Sequence, residues 1–323
     1  MRTIVHIGLP RCATTALQTG YFPAVAAENP GLVYAGTVRP RPRRMSSVYR
    51  AFLQSLHGEG QGRALADALA RTDADTVLLS DATVTVAEPG ATWRTKLARL
   101  ARALEGIDHT ILVGLRDPAE AVFSSYADIY HALPGPRRSV LKAAASPAFE
   151  IFQYRRLFRT LFELFDESRV IPIAYGDIVA GRHGALDAAL GVASRERALP
   201  HLGRRHRTET GIRTGRLSLE QTIAYGLSLR LASAARPLVE RLPCQMRTAK
   251  IGPCLTVPYP SAAEAERLVA FYAPHADFLR DRFGLDDGHG VVRVLASPEA
   301  RAPATSPFGT ALGPMFRPEA LAT

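Results

Sequence analysis

A run of apolar and β-branched residues, Ile4 to Ile7, stops at Gly8 and Pro10, and helix-compatible residues resume at Thr14. That order predicts a buried strand, a short turn and the first turn of a helix, which is the layout of an anion cradle. Gly8 lets the backbone turn tightly, the amides ahead of Thr15 lack internal helical partners, and the helix dipole favours negative charge at the same point. Thr14 and Thr15 add hydroxyl donors, Arg11 supplies a cation for a phosphate-like group, and Pro10, Cys12 and Ala13 complete the turn. Alone, the stretch suits an ordinary βα connection equally well, so a second motif has to decide.

The general phosphate-loop pattern is G-x-x-x-x-G-K-[ST], whereas Gly8 is followed here by Leu-Pro-Arg-Cys-Ala-Thr and Thr15, with neither the Lys nor the second Gly. A second strand-to-helix element stands at residues 109–126, where an apolar strand ends at Arg116, Pro118 is placed to open a helix, and Ser124 follows further along it. Together the two stretches resemble the sulfotransferases that use 3′-phosphoadenosine 5′-phosphosulfate (PAPS). Their phosphosulfate loop reads Gly-x-Pro-[Lys/Arg]-x-Gly-Thr-Thr, and their second element reads Arg-[Asn/Asp]-Pro-x5-Ser. The resemblance implies that the loop from Gly8 through Pro10, Arg11, Cys12, Ala13, Thr14 and Thr15 binds the donor, with Arg11 at the basic position and Ala13 where the family has Gly. It implies equally that Arg116 and Ser124 take the 3′-phosphate of the nucleotide.

Further along, strands and helices alternate, and with the resemblance this implies an α/β, three-layer P-loop-like fold: a central, mostly parallel sheet flanked by helices. Helical spacing is expected at residues 15–27, bent near Pro23, and at 47–56, 63–70, 92–104, 149–165, 181–191, 217–242 and 262–283; strands are expected at 32–34, 76–81 and 169–175. The segment 244–260 reads as an irregular connection. The strand at 76–81 delivers Asp81 to the edge that carries the first loop, where ligands of open α/β sheets bind. Sulfotransferases of the carbohydrate-modifying and bacterial kinds often show Ser-x-Glu or Ser-Glu there, so the resemblance makes Asp81 the catalytic base, unless the register puts Ala82 in that place. His6, His57 and His131 are then the reserve candidates. A basic cluster at residues 202–208 lies where the family closes the 3′-phosphate with a basic loop, which implies that role for Arg204 and Arg205.

Composition sets the remaining bounds. A chain of 323 residues with 47% hydrophobic and 22% charged residues can bury one large core, and one α/β domain is expected over residues 1–295, followed by an Ala- and Pro-rich tail at 296–323. The formal charge of +10 suits an anionic donor, although nearly all of it is arginine, with lysine only at Lys96, Lys142 and Lys250. No DNA- or RNA-binding motif accompanies that charge, so nucleic acid is not expected. Cys12, Cys244 and Cys254 show neither a disulfide framework nor zinc-ligand spacing, and a reducing cytoplasm is the expected location. No signal peptide and no membrane span are expected.

The resemblance thus implies in-line transfer of a sulfuryl group from PAPS to a hydroxyl or amine of a small-molecule or carbohydrate acceptor, with Arg11 stabilising the leaving oxygen and no metal required. The acceptor loops, residues 35–62 and 131–148 with the region after 209, carry no recognisable signature. Two other readings stay open: a P-loop phosphotransferase using magnesium-ATP, with residues 77–81 as its metal-holding strand, and a non-catalytic polyanion or nucleotide binder.

Overall fold

The computed structural model describes residues 1–285 apart from 37–44, 59–61, 89, 134–138, 196–198, 200–205, 208–210, 220, 223–243 and 251. Its centre is β1 (Arg2–Ile7), whose burial is complete from Thr3 onward because both faces are covered. The chain then turns into a continuous helical stretch made of α1 (Thr14–Ala16), a π-helical segment (Leu17–Tyr21) and α2 (Phe22–Glu28). The expected bend near Pro23 takes this form: Pro23 has no N–H to give a carbonyl one turn back, and the wider π turn before it accommodates its ring.

The next elements are β2 (Leu32–Gly36), α3 (Ser47–His57), α4 (Gly62–Ala70) and β3 (Thr76–Asp81), followed by a 3-10 turn (Ala82–Thr85). Then come α5 (Trp93–Ala103), β4 (His109–Leu115), α6 (Pro118–Ile129) and α7 (Val140–Ala144). The long helix expected over 149–165 is in fact two pieces, a 3-10 stretch at Pro147–Phe152 and α8 (Tyr154–Leu164), parted at Gln153, whose ψ of 75° is not helical. β5 (Val170–Ala174), α9 (Tyr175–Val179) and α10 (Gly184–Leu190) complete the main sheet and its cover.

The sheet has the order β2-β3-β1-β4-β5 and every pair in it is parallel. All five carboxyl ends therefore share one edge, and the register Ile7 to Asp81 sets the end of β1 beside the end of β3. Successive strand residues alternate between two apolar layers. Val5, Ile7, Val77, Leu79, Ile111 and Val113 face α3, α4, α5 and α8, whereas Ile4, Leu78, Leu112 and Ile173 face Leu17, Phe22 and α10. Helix, sheet, helix is the three-layer α/β arrangement expected, with β1 at the point where strand order reverses and ligand crevices open.

A second sheet, of β6 (His206–Arg207), β7 (Gly211–Arg216) and β8 (Cys254–Pro258), is antiparallel throughout. This corrects the irregular connection expected at 244–260, which holds a short helix, α11 (Cys244–Thr248), and the strand β8. β8 alternates exposed and buried positions, the pattern of a strand with one covered face, and β7 packs against α6. α12 (Ala262–Phe283) starts at a Ser261/Glu264 capping box, ends at Gly284 with φ 65°, and lies on α8 through Phe158, Phe278 and Phe283. Among the described residues no helix is long and apolar enough to cross a membrane. The expected helix at 217–242 lies largely outside the described residues, and the tail at 296–323 wholly so.

Candidate functional site

The first loop is pinned from several sides. A Cβ on Gly8 would stand 2.2 Å from Cγ2 and 2.7 Å from Oγ1 of Thr14, so only glycine lets Thr14 fold back over the turn. There the Thr14 hydroxyl donates to the Leu9 carbonyl at 3.0 Å, and Thr85 from the 3-10 turn donates to the Gly8 carbonyl at 2.7 Å. Thr14 is buried and its hydroxyl is spent on the loop, whereas Thr15 is exposed. Cys12 is buried against β4, where a Cβ on Gly114 would come within 3.3 Å of the Cys12 carbonyl; Cys12 can therefore serve an anion through its backbone only.

Two non-glycine residues of the loop are left-handed, Arg11 at φ 67° and Ala13 at φ 59°. Each costs about 1–2 kcal/mol for a residue with a Cβ. Alternation of left-handed with right-handed residues is the backbone pattern by which a chain can turn successive amides toward one concavity. The position of Ala13 is therefore one that glycine would fill without strain, since its backbone is left-handed.

The second motif meets the first. Arg11 Nε donates to Ser124 Oγ at 3.1 Å, and Arg116 Nη1 donates to the Arg11 carbonyl at 3.4 Å, so each motif holds the other across more than one hundred residues of chain. Arg11 Nη1 also stands 3.7 Å from Asp128 in an exposed pair, which adds little. Arg116 is more enclosed. Its Nε donates to Glu120 at 2.9 Å, its guanidinium lies 4.5 Å from the centre of the Tyr175 ring, and its carbonyl accepts the Tyr154 hydroxyl at 2.9 Å. Burial works against the Arg116 charge, but Glu120, with Tyr175 and Cys12, together more than offset it and leave the group above the ordinary arginine value. Asp117 caps α6 by accepting the Glu120 amide at 2.8 Å; burial raises its carboxyl to about 6, with Glu120's charge adding and that hydrogen bond opposing.

Asp81 sits at the same edge with both oxygens engaged. Oδ1 accepts the Thr83 amide at 2.6 Å, capping the 3-10 turn, and Oδ2 accepts the Tyr49 hydroxyl from α3. Burial, then the neighbouring Tyr49 and Asp81, push the Tyr34 phenol up, so three oxygen-bearing side chains gather here. Ala82 opens the 3-10 turn. Of the reserve histidines, His6 is buried beneath the loop, with Nδ1 2.8 Å from Ser80 Oγ, and burial lowers it to about 4. His57 is 3.4 Å from Glu88, which also pairs with the fully buried Lys96. His131 lies just past α6, lowered chiefly by burial. Arg204 and Arg205 fall outside the described residues.

The edge therefore gathers Gly8, Pro10, Arg11, Cys12, Ala13, Thr14, Thr15, Asp81, Arg116 and Ser124. Sequence reasoning missed Glu120, Tyr175 and Tyr49 as parts of it. Glu120 carried a readable signal, its i,i+4 spacing from Arg116. Tyr49 carried none, since 32 residues separate it from Asp81.

No protein-family model matches the chain, and no curated protein matches it. Solved structures similar to it include two sulfotransferase structures. A sulfotransferase from Alicyclobacillus acidocaldarius shows 13% identity over 88% of this chain and 97% of that one, with a TM-score of 0.45. The sulfotransferase domain from the curacin biosynthetic pathway shows 14% identity over 84% of this chain and 97% of that one, with a TM-score of 0.30.

Proposed function

We propose that this chain is a sulfotransferase that moves the sulfuryl group of PAPS to a hydroxyl or amine of a small-molecule or carbohydrate acceptor. The observation that carries the reading is the crossed contact of the two motifs, Arg11 Nε on Ser124 Oγ at 3.1 Å and Arg116 Nη1 on the Arg11 carbonyl at 3.4 Å. The residues fit such a donor. A nest with left-handed turns at Arg11 and Ala13, an exposed Thr15 hydroxyl and two arginines at one sheet edge make a site for two separate anionic groups.

PAPS, when bound, supplies a sulfuryl group already joined to a phosphate leaving group. The loop amides and the Arg11 guanidinium stabilise the charge that grows on the leaving oxygen, and Arg116 with Ser124 holds the 3′-phosphate. Asp81 takes the proton of the acceptor and shares its Oδ2 with the Tyr49 hydroxyl. On this reading the chemistry is positioning and charge stabilisation by the chain's own groups, inside one α/β unit spanning residues 1–295, in the cytoplasm.

Calorimetric titration with adenosine 3′,5′-bisphosphate and with magnesium-ATP, on the wild type and on Arg116→Ala, tests the proposal. Metal-independent binding of the bisphosphate, weakened by the substitution, is expected. Preference for magnesium-ATP would make the chain a phosphotransferase, and binding of neither would leave a polyanion binder.

A further inference from the structure

Arg116 is held on three sides before any ligand arrives. Its edge is fixed by Glu120 on Nε at 2.9 Å, its face by the Tyr175 ring at 4.5 Å, and its Nη1 by the Arg11 carbonyl at 3.4 Å. The three holds come from different elements: Glu120 from the first turn of α6, Tyr175 from the start of α9 just beyond β5, and Arg11 from the loop after β1. A guanidinium carries five N–H donors in a rigid fork, and one on Nε and one on Nη1 are taken. Among the described residues the Nη2 end makes no hydrogen bond, while the side chain keeps 17% of its surface exposed. The frame therefore uses Nε, one proton of Nη1 and the face of the fork, and leaves Nη2 for an anion.

Holding an arginine this way matters because a free one loses rotamer freedom when it grips a phosphate, whereas a pre-set fork has already lost it. The Glu120 carboxylate is placed to orient without blocking, since it accepts from Nε alone and takes no proton of Nη2. Stacking on an aromatic face fixes the plane of the fork, and a planar fork in a fixed plane is what bidentate phosphate recognition requires.

We propose that Tyr175 and Glu120 are positioning residues that aim Arg116, and that this aim sets the preference of the site for a nucleotide bearing a phosphate at the ribose 3′ position over one that lacks it. The proposal rests on the PAPS reading of the site and adds to it the two side chains that enforce the choice.

The test uses the full chain and two probes, adenosine 3′,5′-bisphosphate and adenosine 5′-monophosphate, titrated calorimetrically against each variant. The quantity read is the ratio of the two affinities. A variant that is partly unfolded binds both probes less well by the same factor, so the ratio is blind to lost protein. Tyr175→Leu and Glu120→Ala are each expected to lower the ratio by about fivefold to tenfold. Tyr175→Phe keeps the ring face and Glu120→Gln keeps an oxygen that accepts from Nε, and both are expected to stay within about twofold of the wild type. A wild-type preference that survives unchanged in Tyr175→Leu and Glu120→Ala overturns the positioning role and leaves the PAPS reading standing. A wild type with no preference between the probes overturns the PAPS reading, and this proposal with it.

Discussion

Asp117 offers a test of the electrostatics that can be made without any ligand. Its carboxyl is raised from 3.8 to about 6, chiefly because it is removed from water at the start of α6 beside Glu120. A group whose folded value lies above its unfolded one binds its proton more tightly in the folded state. Its contribution is therefore fully present below the unfolded value and is lost as pH rises through the folded one. The window runs from about pH 4 to about pH 6, and over it the wild type should lose about 3 kcal/mol at most, trimmed towards about 2 kcal/mol because the side chain is only part-buried. Asp117→Asn removes the titration but keeps an oxygen to cap the Glu120 amide. Urea unfolding of the two proteins should give equal stabilities near about pH 4 and a variant more stable by about 2–3 kcal/mol near about pH 7.5. Stability curves that run parallel across that range would falsify the claim that burial of this carboxyl destabilises the ionised protein.

Gly8→Ala places a methyl group 2.2 Å from Thr14 Cγ2, so it should unseat the Thr14 hydroxyl from Leu9 and weaken adenosine 3′,5′-bisphosphate binding by about tenfold or more. Binding equal to wild type would show that the turn does not need this glycine. Ala13→Gly relieves a left-handed residue at φ 59° and should raise stability by about 1 kcal/mol, seen as a rise of about 2 °C or more in Tm; no rise would mean that the strain is absent. Lys96 is fully buried and donates to the Thr83 carbonyl at 2.9 Å, the Val86 carbonyl at 3.0 Å and Glu88 at 2.5 Å. Lys96→Met should cost about 3 kcal/mol in denaturant unfolding, and a loss below about 1 kcal/mol would refute its role in bracing the segment after β3.

What could be read in advance was what depends on neighbours in sequence. The strand to Ile7, the break at Gly8 and the helix from Thr14 follow from short-range chemistry, as do β3 to Asp81 and α12 from its capping box to Gly284. The parallel sheet followed from the alternation of strands and helices. What was not legible depends on distant contacts. β8 looked irregular because its strand character comes from pairing with β7, about forty residues earlier, with a register shift between Arg213 and Arg216. The break at Gln153 is set by how the 3-10 stretch and α8 pack, since the apolar spacing runs on through it. At the site, Arg116 was visible from its own motif, but the ring under it stands at the start of α9, and the hydroxyl on Asp81 comes from a helix two elements away.

The place of β1 in the sheet also has a consequence for how the molecule is made. Its neighbours on the two sides are β3 and β4, paired through Thr3 to Val77 and Thr3 to His109. A ribosome adds about 5–20 residues each second, so an apolar strand made about a hundred residues ahead of β4 waits roughly 5–20 s before that second partner exists. Until β3 is made both of its edges are bare, and until β4 is made one of them still is, open to a holding chaperone or a stray strand from another nascent chain. The loop after β1 continues from that strand at Gly8, so it too can take its shape only after Thr85 has been made to hold the Gly8 carbonyl and Arg116 to hold Arg11.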